Sequence, residues 1–146
     1  MAFRFALAAL LKYRESLEQR EYSALEKVQQ EIAQTENLMR ECEQQLSAAQ
    51  ARRDHDLKHG VISVHLQAIY QEETALEDLQ EKLQTHWQQL QVKRQNCMRA
   101  YELAHRNREV LHDLRLQQFD AYRKEQAKRE QKTLDDIFLA RRRRSP

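Results

Sequence analysis

Residues 54–62 read Asp-His-Asp-Leu-Lys-His-Gly-Val-Ile, and Gly60 within them is the only glycine of the chain. The one proline, Pro146, is the last residue of the sequence. Glycine takes up the left-handed backbone conformation of a reversal at no steric cost. On both sides of it the sequence is rich in Ala, Leu, Glu, Gln, Lys and Arg, the strong helix formers. The stretch therefore predicts one reversal between two long helices. The expected fold is all-α, a long antiparallel two-helix coiled-coil hairpin with an overhang of the C-terminal helix. The expected bounds are helix one over 3–57, a turn over 58–62, helix two over 63–138 and a basic tail over 139–146, all in one domain. Ser63 is the expected N-cap of the second helix.

Periodicity supports this reading outward from the turn. Leu25, Val28, Ile32, Thr35, Met39, Cys42, Leu46 and Ala49 are spaced alternately by three and four, the 3.5-residue repeat of a left-handed supercoil. Upstream, Phe3, Leu7, Leu10, Arg14 and Leu17 alternate in the same way but out of phase, which predicts a stutter around Glu18–Glu21. The inner face of the second helix is expected at Leu66, Ile69, Leu76, Leu79, Leu83, Leu90, Cys97, Tyr101, Ala104, Leu111 and Leu114. Polar residues interrupt it at His86 or Trp87 and at Lys93 or Arg94, so its phase is open there.

A turn centred near Gly60 sets residue i opposite residue 120 − i. Phe3 then lies near Gln117, Cys42 near Asp78 and Cys97 near Ser23. Beyond Gln117 the second helix has no partner in its own chain, yet it carries Phe119, Tyr122, Leu134, Ile137, Phe138 and Leu139. Apolar residues on an unpaired helix imply an external surface that covers them.

The net charge of the 146 residues is only +2, with 33% of them charged, but its distribution is uneven. Residues 1–14 hold Arg4, Lys12 and Arg14 and no acid, and residues 123–146 hold nine cations against four anions. The segment between is acidic. In a hairpin both basic ends meet at one pole, which suits an acidic partner and a salt-dependent attraction. The Arg141–Arg144 run has three readings: compensation of the helix macrodipole, docking on an acidic protein, and nucleic-acid binding. No aromatic-basic surface accompanies it, so nucleic acid is not an expected partner.

Catalytic chemistry finds no footing. There is no GxxxxGK[ST], GxGxxG or CxxC pair. His55 and His59 stand four apart and could face one metal, but no fixed third ligand lies nearby, and a solvated turn has the same composition. His86 and Trp87 read as seam residues. Cys42 and Cys97 are expected too far apart for a disulfide, as suits a reducing compartment. The apolar run Phe5–Leu11 is closed by Lys12 and continues into an amphipathic pattern, so it reads as helix and not as a signal peptide. No stretch approaches the ~20 apolar residues of a membrane span. The expectation is a cytoplasmic protein that is not an enzyme, with no cofactor, no metal and no direct membrane insertion.

The two ends carry a further signal. The start reads Phe3-Arg4-Phe5-x-Leu7-x-x-Leu10-Leu11-x-x-Arg14, and the end reads Gln131-Lys132-Thr133-Leu134-Asp135-Asp136 with arginines following. Together they resemble the FliJ family of flagellar type III export proteins, whose ends read F-x-F-x-L-x-x-LL-x-x-R and Q-K-x-[LM]-D-[ED]. The resemblance implies a stalk whose paired termini insert into the hexameric flagellar export ATPase, with the turn side facing the export-gate membrane protein. Peripheral association with the inner membrane through that apparatus and escort of export chaperones are implied as well. By motif, Phe3, Phe5, Leu7, Leu10, Leu11, Arg14, Lys132, Leu134, Asp135 and Asp136 are the expected ATPase-facing residues. Val61, Leu66, Ile69 and Tyr70 lie where the family's gate-facing region lies. A stalk of a virulence-type injectisome and a chaperone or adaptor hairpin are the alternative readings.

Overall fold

The structure is a computed structural model, and it describes residues 2–60 and 62–145. Two helices make up the fold, α1 over Ala8–His59 and α2 over Ser63–Arg144, with no strand among the described residues. They pack against each other antiparallel, the expected all-α coiled-coil hairpin. Two compact units are distinguished, Glu21–Tyr101 and Met1–Arg20 with Glu102–Pro146. Each contains a segment of both helices.

In the unit Glu21–Tyr101, α1 buries its seam as its spacing requires. Leu25, Val28, Ile32, Thr35, Cys42 and Ala49 are buried, and Met39 and Leu46 are half-buried. Thr35 is accommodated because its hydroxyl donates to the Glu31 carbonyl at 2.8 Å. Val28, Ile32 and Leu90 form one cluster, with Trp87 and Cys97 against it, and Cys42, Ala49 and Leu76 form another, with Leu46 and Leu83. The Cys42 thiol donates to the Leu76 carbonyl at 3.3 Å, and both cysteines are free.

The phase that the sequence left open on α2 is now fixed. Its inward positions are Leu66, Ile69, Glu73, Leu76, Gln80, Leu83, Trp87, Leu90, Arg94, Cys97 and Tyr101, all buried or half-buried. Leu79 is 45% exposed and His86 is exposed, so both expected seam residues face outward. The unbroken alternation of three and four decides between neighbours: Gln80, not Leu79, falls seven residues from Glu73 and from Trp87. Glu73 is buried because Arg53, at an inward position of α1, pairs with it at 2.8 Å. Trp87 donates its indole N–H to Glu36 at 3.1 Å, and the Tyr22 and Tyr101 rings stand 5.8 Å apart.

The reversal follows the expected chemistry with one change. Gly60 has φ +67, the left-handed conformation that ends a helix. The carbonyl of Ile62 accepts from the N–H groups of His65 and Leu66, so Ile62 holds the cap position and Ser63 is the first helical residue, not the N-cap. Val61 lies outside the described residues.

In the unit of the two ends, α1 starts at Ala8 instead of Phe3, and residues 2–5 are non-helical. Leu11, Arg14 and Glu18 continue inward at the same spacing as Leu25 and Val28, so there is no stutter; Leu7 and Leu10 are 38% and 39% exposed. The expected stutter came from counting outward-facing leucines as seam. Glu18 accepts from Arg108 and lies 3.6 Å from His105. At the other end, α2 continues as helix to Arg144 and includes the arginines expected in a tail.

Candidate functional site

The chemistry of the unit formed by the two ends begins with the alternation Phe3-Arg4-Phe5. In an extended segment, successive side chains point to opposite sides. Phe5 turns inward and is 8% exposed, clustered with Leu11 and Leu111 and with Phe3 and Leu114 against them. The Phe3 ring meets Phe119 edge-on at 5.2 Å and lies 5.5 Å from Tyr122. Phe3 thus sits farther along α2 than Gln117. The non-helical start reaches farther per residue than a helix.

Beyond these contacts α2 stands alone. Every described residue after Gln126 is exposed. The helix supports itself through pairs one turn apart: Lys124 with Asp120 at 3.3 Å, Arg129 with Glu125 at 3.4 Å, and the Gln131 amide donating to Asp135 at 3.1 Å. Arg123 lies over the Phe119 ring at 6.0 Å. Leu134, Ile137 and Phe138 share one face at i, i+3 and i+4, with exposures of 61%, 46% and 66%. Arg141 follows on the same face one turn later, and Lys132, Asp135 and Asp136 flank it.

The expected ATPase-facing residues therefore fall into two groups. Phe3, Phe5 and Leu11 come together against α2, with Arg14 half-buried and Leu7 and Leu10 turned outward. Lys132, Leu134, Asp135 and Asp136 lie farther along the same helix, about 22 Å from Phe119 at ~1.5 Å per residue. Leu116, 53% exposed, belongs to the same apolar surface and was not singled out from sequence, because no motif marks it.

Of the expected gate-facing residues, Val61 is outside the described residues, and Leu66, Ile69 and Tyr70 lie in the unit Glu21–Tyr101. Leu66 and Ile69 are half-buried in its seam, while Tyr70 is 47% exposed beneath the Arg53 guanidinium at 5.9 Å. Near the turn, the His55 and His59 rings stack at 4.2 Å and the His59 Nδ1–H donates to the His55 carbonyl at 2.8 Å. Among the described residues no group of three His, Cys, Asp or Glu side chains is placed to hold a metal ion. No described helix is long and apolar enough to cross a membrane.

Comparison with known proteins agrees with the terminal motifs. No curated protein and no solved structure matches the chain. The family model described as Flagellar FliJ protein matches residues 3–146, both terminal motifs and the whole hairpin between them. The chain belongs to the FliJ family.

Proposed function

We propose that this chain is a non-enzymatic stalk of the flagellar type III export apparatus. It inserts its paired ends into the hexameric export ATPase and links that ring to the export-gate membrane protein. One observation carries the reading. From Ala127 to Arg144, α2 is a formed helix whose residues are all exposed, with a bare Leu134–Ile137–Phe138 face, and residues 123–146 carry nine cations against four anions. Such a surface suits a socket that is apolar within and acidic around.

A single asymmetric helix cannot match six equivalent subunits at once. Its docking biases their conformations unequally, and by linkage the nucleotide state of the ring biases the docking in return. At the turn side, Tyr70 and the residues near it offer the gate-facing surface, and export chaperones are further partners of the exposed flanks. The apparatus would hold the protein at the cytoplasmic side of the inner membrane.

The test is ATP hydrolysis by the export ATPase of the same organism with and without this chain. Stimulation that vanishes on removal of residues 134–146, with helical content otherwise kept, supports the stalk. Stimulation unaffected by that truncation rejects it. An adaptor would instead keep client capture after the same truncation.

A further inference from the structure

The non-helical start of the chain does more than cover α2. Between it, the first turns of α1 and α2 lies a cleft of about 460 Å³. Phe5 and Leu11 form its floor and are 8% and 4% exposed. Arg4, Lys12 and Arg115 stand around it, one cation from each of three chain segments, and Glu15 is the one acid among them. None of the three cations makes an ion pair with another described residue. All three are exposed, unlike the half-buried arginines of the seam, Arg53 and Arg108, which pair with Glu73 and Glu18.

We propose that Arg4, Lys12 and Arg115 form a docking site for an acidic segment of a protein partner. The Phe3–Phe5 anchor makes the site: two inward rings fix the backbone, and the residue between them must face outward. Arg4 is thereby held beside Lys12 and Arg115 without the entropy loss of ordering a free end at docking. The charge balance selects a carboxylate-bearing occupant, and the apolar floor admits an aliphatic or aromatic side chain next to it. A cleft of this size takes one or two side chains, whereas a nucleic-acid backbone needs a track of cations with stacking faces. This site rests in part on the stalk reading, which gives it a partner, but its chemistry is testable without one. Phe3 and Phe5 are then positioning residues for the contact and not the contact itself.

The experiment uses the full chain and poly-L-glutamate as the probe. One variant removes the three cations (R4Q/K12Q/R115Q), and a control removes equal charge from the basic end of α2 (R142Q/R143Q/R144Q). A third, F3A/F5A, keeps every cation but frees the segment. Circular dichroism confirms that all remain helical. The expected result is a loss of about tenfold in affinity for R4Q/K12Q/R115Q, and a comparable loss for F3A/F5A at unchanged net charge. R142Q/R143Q/R144Q should lose less than about threefold, as for peripheral charges. An equal or larger loss for R142Q/R143Q/R144Q overturns the site, because net charge alone would then explain binding. So does an F3A/F5A variant that binds like the parent. Repeating the series with the export ATPase separates the two ideas. A cleft that selects poly-L-glutamate but leaves ATPase affinity unchanged keeps the site and counts against ring docking.

Discussion

The two compact units use their apolar residues in opposite ways. In Glu21–Tyr101 the inward stripe of α1 is spent inside the chain, where Val28, Cys42 and Ala49 are 0–2% exposed. In the unit of the two ends, burial stops with Phe3, Phe5, Leu11 and Leu111, and Leu134, Ile137 and Phe138 stay bare. Stability and binding therefore reside in different regions of the chain. Substitutions in the first region should act on folding, and substitutions on the bare helix should act on association alone.

The largest expected effect breaks or upholds this contrast directly. Ending the chain after Thr133 should abolish stimulation of the export ATPase while leaving the thermal unfolding midpoint near that of the parent. A large fall in the midpoint would show that the bare helix is stabilising the fold after all. Next in size is Leu90→Ala, which opens the Val28–Ile32–Leu90 cluster and should cost about 2–4 kcal/mol in urea denaturation. Leu134→Ala, the matching change on the exposed face, should stay within about 0.5 kcal/mol.

Glu73→Ala sharpens the picture of the seam. It leaves the Arg53 guanidinium, half-withdrawn from water, without its partner and should cost about 1–3 kcal/mol. The double replacement Arg53→Leu with Glu73→Leu should recover most of that loss, since an apolar pair suits the seam as well as an ion pair does. A double-mutant cycle by chemical denaturation reads both. At the turn, Gly60→Ala meets no steric neighbour but must adopt φ +67, so it should cost about 1–2 kcal/mol. A neutral outcome there would mean that the turn has found another conformation.

Much of this was legible beforehand. The spacing from Leu25 to Ala49 named the buried face of α1 because apolar residues occupy nearly every seam position. The same method failed on α2 at Leu79, where the inward place belongs to Gln80. The true register admits Glu73, and only Arg53, twenty residues earlier on the other helix, makes that tolerable. A partner of that kind is invisible to a periodicity count along one strand of text. The start of α1 was missed for a related reason. Phe3 fits a helical repeat on paper, but Phe3 and Phe5 both turn toward α2 with Arg4 exposed between them, a two-residue alternation that a helix does not give. Of the candidate site, the terminal motifs pointed to the family. Which of their residues form foundation and which form surface emerged only from burial: Phe5 and Leu11 are foundation, and Leu7, Leu10 and Leu134 are surface.

The ladder of pairs from Asp120–Lys124 to Gln131–Asp135 has a consequence for how recognition proceeds. A segment wound in advance, and continuous with a helix already nucleated, escapes the ~1–2 kcal/mol per residue that a disordered arm surrenders when it folds onto its target. Its association should therefore show the modest heat-capacity change of surface burial alone, without the larger signature of coupled folding.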